Sequence, residues 1–160
     1  MGDAVKNHPQ FHKGMKLKTK RRILITAAAT AAATLFSITQ ATALTQERDL
    51  ASATSSSTST PWKCTDNAWA EVCFSEDGDW FRVKDTNADG HSGVVQWSVR
   101  EPNGYTIRYG YIYNASGKGT VRYKNKDLPE GKAILIQPCH GDWGKEARPT
   151  NCTGSFYAAT

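Results

Sequence analysis

The chain has 160 residues, of which 39% are hydrophobic and 22% charged, and its formal net charge is +5. This length suits one domain with a modest core. The positive charge is concentrated at the N-terminus, because residues 1–43 hold seven of the 20 lysines and arginines but only one of the 15 acidic residues. The rest of the chain has 13 basic and 14 acidic residues. Its net charge of −1 excludes the surplus of clustered cations that a nucleic-acid partner requires.

Residues 1–43 have the pattern of an export signal. A basic segment over 16–22 precedes an apolar, alanine-rich run over 23–36 and a small-x-small cleavage motif at 41–43. Met15 is a candidate for the true start, because the residues before it add nothing to this pattern. The apolar run is shorter than the roughly 20 residues that span a bilayer. We therefore expect cleavage after 41–43 and a secreted, extracellular product that is not held in a membrane, with ordinary secretory and twin-arginine export both left open.

The segment that follows, residues 44–61, is rich in Ser, Thr and Ala. Such a composition buries too little apolar surface to offset the entropy that ordering the chain costs. We therefore predict a disordered arm over 44–61 and a folded domain over 62–157.

Within 62–157, turn residues separate short segments in which apolar and polar residues alternate, a pattern typical of an antiparallel all-β domain. The segment 132–139 contains the most apolar run and is predicted to lie centrally, covered on both faces. The expected fold is a single small β-sandwich, with a small β-barrel as the alternative. We predict no helix and seven strands, over 69–75, 80–85, 93–100, 105–114, 120–125, 132–139 and 151–157.

The four cysteines all lie after the export signal, at Cys64, Cys73, Cys139 and Cys152. An even number of cysteines in a small exported chain predicts two disulfides. Three pairings are possible. We favour Cys64 with Cys73 and Cys139 with Cys152, because each pair brackets a short loop. A zinc site built on these cysteines is disfavoured, because no C-x-x-C spacing is present.

One loop has the oxygen-rich start of a calcium site. Asp85, Asn87 and Asp89 occupy the first, third and fifth positions, and Gly90 supplies the turn at the sixth. The twelfth position is Gln96, where a bidentate Glu is needed. We therefore favour a polar β-turn in which Asp and Asn cap their own backbone, and expect no cofactor; calcium bound by Asp85, Asn87 and Asp89 is the alternative.

Catalytic patterns are weak. His91 and His140 are the only histidines after the export signal, and no G-x-S-x-G motif supplies a nucleophile beside them. We therefore expect no catalytic residues and no enzymatic activity, with a small secreted hydrolase as a weaker alternative.

Aromatic residues are the better indication of a binding surface. Loop and terminal aromatics are hard to bury, so Trp62, Trp80 and Trp143 are the candidate exposed contacts. A stripe of tyrosines also lies along the predicted strand 105–114. This stripe is either core, which we favour, or an exposed stacking platform; its members are Tyr105, Tyr109, Tyr111 and Tyr113, with Ile107 on the same face.

Several short motifs resemble those of the small secreted, β-rich actinobacterial (Streptomyces-like) proteins of unknown function. The resemblance covers roughly 70–153 and implies a bacterial extracellular setting. It brings no known activity or site residues. The motifs are Val72-Cys73-Phe74, Gly78-Asp79, Val83-Lys84-Asp85-Thr86, Ala88-Asp89-Gly90-His91-Ser92, Trp97, Gly117-x-Gly119-Thr120 and Leu128-Pro129-Glu130-Gly131.

Together these features favour a non-catalytic interaction module that binds another extracellular protein as an adaptor, an inhibitor or a subunit of a secreted complex. A flexible arm suits this role, because it can add a strand to a partner's sheet. The alternative is a carbohydrate-binding module that uses exposed Trp and Tyr on cell-wall or environmental polysaccharide. We expect the chain alone to be monomeric.

Overall fold

A computed structural model describes residues 44–55, 61–145 and 147–160. The export signal predicted over 1–43 lies outside these ranges. All regular structure within them is β-strand. No helix in the described part of the chain is long and apolar enough to cross a membrane.

The described residues form nine strands in two sheets. The strands are β1 Gln46–Leu50, β2 Lys63–Asp66, β3 Ala70–Ser75, β4 Trp80–Asp85, β5 Ser92–Arg100, β6 Thr106–Asn114, β7 Val121–Asn125, β8 Ala133–Gly141 and β9 Phe156–Ala159. The larger sheet has the order β1-β6-β5-β8-β9, and the smaller has the order β2-β3-β4-β7. Every pairing is antiparallel except that of β1 with β6. The two sheets pack together as a sandwich and do not close into a barrel, which confirms the predicted fold class.

The core lies between the sheets and follows from the alternation of side chains along each strand. In β4, Phe81 and Val83 are buried, whereas Arg82 and Lys84 point away from the core and are half-buried. Phe81 meets Trp97 of the opposite sheet with the ring centroids 6.1 Å apart. Each such large side chain stabilises the fold by about 1.5–3 kcal/mol when it is fully buried.

Two elements differ from their predicted positions. The final strand is Phe156–Ala159 and not 151–157, because Cys152 is held by its disulfide and Asn151 has a positive φ of 53°. The apolar strand β8 lies between β5 and β9, and the centre of the larger sheet is β5. Only one face of β8 is fully covered, since Ile134 and Ile136 are buried but Leu135 and Gln137 are half-buried.

The prediction of a disordered arm over 44–61 is wrong for its first part. β1 pairs in parallel with β6, Ala51 is buried in the core, and Ser52 forms a β-bridge with Tyr123 of the smaller sheet. Few apolar contacts hold this segment, which is why its composition predicted disorder. Charged contacts hold it instead: Lys126 pairs with Glu47 at 2.5 Å and with Asp49 at 2.7 Å.

Both favoured disulfides are confirmed. Cys64–Cys73 joins directly opposite residues of β2 and β3, and Cys139–Cys152 joins β8 to the loop before β9. In each pair the Cα atoms are 4.1 Å apart.

Candidate functional sites

Three of the four tyrosines in the predicted stripe lie on the outer face of the larger sheet and not in the core between the sheets. Tyr109, Tyr111 and Tyr113 are directly opposite Ser98, Gln96 and Val94 of β5. The alternate residues of β5 (Val95, Trp97 and Val99) belong to the core. A β-bulge between Val99 and Arg100 shifts the register, and Ile107 packs against the core instead of joining the stripe.

A loop covers one half of this outer face. Tyr111 and Tyr113 are 6% and 1% exposed, and they form a second small apolar cluster with Val94 and Cys139. Trp143 packs against this cluster, with its ring centroid 5.4 Å from that of Tyr113. The chain after β8 therefore folds back over the sheet, and the Cys139–Cys152 disulfide ties it there.

The other half of the outer face is open. The strand register places Tyr109, Ser98, Leu135 and Tyr157 in one row across four strands, a span of about 14 Å at the usual strand spacing. Tyr157 is 59% exposed, and Tyr105 is 73% exposed in the turn before β6. The Arg100 guanidinium lies 5.9 Å from the Tyr157 ring centroid and donates to its hydroxyl at 3.4 Å.

The three tryptophans predicted as exposed contacts are all half-buried. Trp62 packs against Tyr123, with the ring centroids 6.2 Å apart, and Trp80 lies in β4 on the outer face of the smaller sheet. Trp143 packs against Tyr113 and beneath the Arg48 guanidinium, which lies 4.3 Å from its ring centroid. The three do not form one surface.

Trp143 also lines a cavity of about 460 Å³ at the loop end of the sandwich. Three loops that the sequence analysis treated separately meet here. These loops are the segment after β4 that holds the predicted calcium ligands, the glycine-rich turn after β6 and the residues after β8. The lining includes Asn87, His91, Lys118, Asp142 and Trp143.

Beside this cavity, Asp89, His91 and His140 form a cluster. Nε2 of His140 is 2.9 Å from Oδ2 of Asp89, and Nδ1 of His91 is 3.5 Å from Oδ1. The two imidazole ring centroids are 4.5 Å apart. The hydrogen bond that Asp89 accepts from the His91 backbone amide is the main cause that lowers the pKa of the Asp89 carboxyl. Burial opposes it, but contacts with His140 add to it, and the pKa is below its ordinary value.

The other two predicted calcium ligands have local partners. Oδ1 of Asp85 accepts a hydrogen bond from the Asn87 backbone amide at 3.0 Å, and the Asn87 side-chain amide donates to Oδ2 of Asp89 at 3.2 Å. Burial raises the pKa of the Asp85 carboxyl above its ordinary value, although that hydrogen bond opposes the effect. Calcium binding by Asp85, Asn87 and Asp89 remains a prediction.

The histidine cluster could not be recognised from the sequence. The two histidines are far apart in the chain, with 48 residues between them. They meet because β5 pairs with β8 in a register that sets Gly93 opposite His140 and Ser92 opposite Gly141. No local pattern specifies that pairing, so the sequence offered only two isolated histidines, one of them directly after an Asp-Gly pair.

Comparison with known proteins identifies no relative. No family model, no curated protein and no solved structure matches the chain.

Proposed function

We propose that the protein is a non-catalytic extracellular binding module that recognises another secreted protein through the open half of its outer sheet face. The observation that carries the proposal is Tyr157, a 59% exposed tyrosine at the end of a row that the strand register makes continuous across four strands. Two disulfides fit an oxidising, extracellular setting.

The shape and composition of the face favour a protein partner. Tyr and Arg are enriched where protein interfaces are energetically strongest, and the face offers both in Tyr157 and Arg100. The row is an open strip of side chains across four strands, whereas small-molecule sites are clefts that enclose most of the ligand. The face therefore suits a broad protein contact better than a small ligand.

The N-terminal segment is not the proposed contact. Its strand β1 is already paired with β6, and its charged side chains are engaged with the rest of the domain. Deleting this segment would remove part of the fold along with any contact that it makes.

The test is affinity capture of the tagged, processed protein from the culture supernatant of its native producer, with mass spectrometry of whatever elutes with it. We expect a stoichiometric secreted protein to elute with the wild type. Tyr157→Ala should weaken its binding by roughly 30-fold or more, the size of an interface hot spot. Trp62→Ala is the matched control, because it removes a half-buried aromatic outside the larger sheet. Equal capture by the wild type and by Tyr157→Ala would contradict the proposal.

A glycan is the second candidate. It is favoured by the cavity at the loop end, where the Trp143 ring and several polar side chains line one concave space. The supernatant capture, followed by a pull-down on insoluble polysaccharide, separates the protein partner from the glycan. A protein that is recovered alone from the supernatant but is retained on the polysaccharide would favour the glycan.

A further inference from the structure

The loop end of the sandwich brings together both histidines of the described residues and one carboxylate. We propose that Asp89, His91 and His140 form a binding site for a divalent transition-metal ion such as Zn²⁺. This site is separate from the sheet face in the proposed function, and it does not depend on that proposal.

The spacing of the donor atoms suits such an ion. One ligand atom from each of the three residues can be chosen so that all lie within 4.8 Å of one another. Oδ2 of Asp89 lies 2.9 Å from Nε2 of His140, and Oδ1 lies 3.5 Å from Nδ1 of His91. In a tetrahedral zinc site with bonds of 2.0–2.2 Å, ligand atoms are about 3.3–3.6 Å apart. Small side-chain rotations are therefore enough to seat the ion.

Rigid elements hold the donors in place. His140 lies in β8, paired with Gly93 on one side and bridged to Thr150 on the other, and it follows the disulfide-bonded Cys139. The ring centroids of Trp69 and His140 are 5.7 Å apart. Donors fixed in this way lose little freedom when a metal binds.

The other two donors share one turn. Gly90, between them, has a φ of 78°, and the His91 backbone amide donates to Oδ1 of Asp89 at 3.0 Å. The Asn87 amide donates to Oδ2 of the same carboxylate. These hydrogen bonds orient the carboxylate, as the outer partners of metal ligands do in established sites.

The donor set selects the class of metal. Two imidazoles and one carboxylate suit Zn²⁺, Cu²⁺ or Ni²⁺, whereas Ca²⁺ and Mg²⁺ prefer oxygen ligands. Three protein ligands leave a fourth position of a tetrahedral ion for water or for a group of a bound molecule. Cavities of about 460 and 190 Å³ both reach His91, and the smaller one also reaches His140.

The test is equilibrium dialysis of the full chain against ZnCl₂, with the metal measured by mass spectrometry. His8 and His12 are the only other histidines of the chain, so the reference protein carries His8→Ala and His12→Ala. We expect this reference to retain one Zn²⁺ per chain in the presence of excess CaCl₂. His91→Ala added to the reference should weaken zinc binding by more than about 100-fold, since it removes a direct ligand.

Asp89→Asn is the second variant, because it preserves the shape of the turn and removes the charge of the ligand. Near-UV circular dichroism of each variant establishes that it is folded before dialysis. Cobalt absorption in the visible range should show a tetrahedral Co²⁺ spectrum in the reference and lose it in both variants. Absence of bound Zn²⁺ in the reference would overturn the proposal, and so would zinc binding by His91→Ala and Asp89→Asn as tight as that of the reference.

Discussion

Gly110 shows how one missing side chain lets the N-terminal segment join the fold. It lies in β6 directly opposite Glu47 of β1. A Cβ atom at this position would be 2.6 Å from the Glu47 carbonyl oxygen and 3.0 Å from Cζ2 of Trp97. The strand β1 and the largest core side chain therefore both occupy the space that a side chain at residue 110 would need.

Gly110→Ala is predicted to destabilise the protein by about 1–3 kcal/mol, because backbone atoms must move to admit the methyl group. Chemical denaturation monitored by tryptophan fluorescence measures the change. Gly144→Ala is the matched control, since its Cβ would approach no atom closer than 3.4 Å. If both variants unfold at the same denaturant concentration, the close packing of β1 on β6 is not a constraint.

The charged network beneath β1 explains why composition alone gave the wrong expectation for this segment. Glu47 pairs with Lys126 and with Arg108, and Asp49 pairs with Lys126 and with Lys124. The Lys126 side chain is only 8% exposed. Composition measures how much apolar surface a segment can bury, and it does not register ion pairs with strands more than 50 residues away.

This network makes the docking of β1 sensitive to acid. Burial alone would raise the pKa of the Glu47 and Asp49 carboxyls, but hydrogen bonds from Arg108 to Glu47 and from Lys126 and Lys124 to these carboxyls outweigh it. The pKa of each carboxyl is therefore below its ordinary value. The resulting stability is fully present above the ordinary carboxyl pKa, and it is lost as the pH falls through the folded-state value.

We therefore predict that the free energy of unfolding decreases between pH 6 and pH 3 more steeply in the wild type than in a Glu47→Gln/Asp49→Asn variant. Urea denaturation at a series of pH values gives both slopes. Comparing the two proteins cancels the contribution of the buried Asp79 and Asp85 to the slope. Their raised pKa values change the pH dependence of stability in the opposite direction. Parallel slopes would mean that the two carboxylates of β1 contribute no pH-dependent stability.

Most strands could be predicted because their side chains alternate between core and surface. The predicted segments 69–75, 80–85 and 93–100 correspond to β3, β4 and β5 within one residue at each end. Strand β2 was missed, since its four residues are mostly exposed and show no apolar alternation. Asp89 was predicted as a calcium ligand and Trp143 as an exposed contact, but the surroundings of both residues depend on strand register, which a local pattern cannot specify.

At the scale of the whole molecule, the two disulfides hold different parts of the sandwich. Cys64–Cys73 joins two neighbouring strands of the smaller sheet. Cys139–Cys152 ties down the chain that covers Tyr111 and Tyr113, and it adjoins His140. Arg48 adds to the second attachment by donating to the backbone carbonyls of Asp142, Trp143 and Lys145 at 3.1, 2.5 and 2.7 Å. The second disulfide therefore sets the boundary between the covered and open halves of the outer sheet face.

Removing either disulfide is predicted to lower the free energy of unfolding by about 3 kcal/mol, since the loops that they close are similar in length.

The local effects of removing the two disulfides should differ. In Cys139→Ala/Cys152→Ala, amide hydrogen exchange over residues 142–152 should accelerate, because the covering loop loses its covalent attachment. In Cys64→Ala/Cys73→Ala the same peptides should exchange as in the wild type, which makes this pair the matched control for lost stability. Exchange measured by mass spectrometry under conditions where both variants are folded decides the point. Equal protection of 142–152 in the two variants would show that Arg48 and the packing of Trp143 hold the loop without the disulfide.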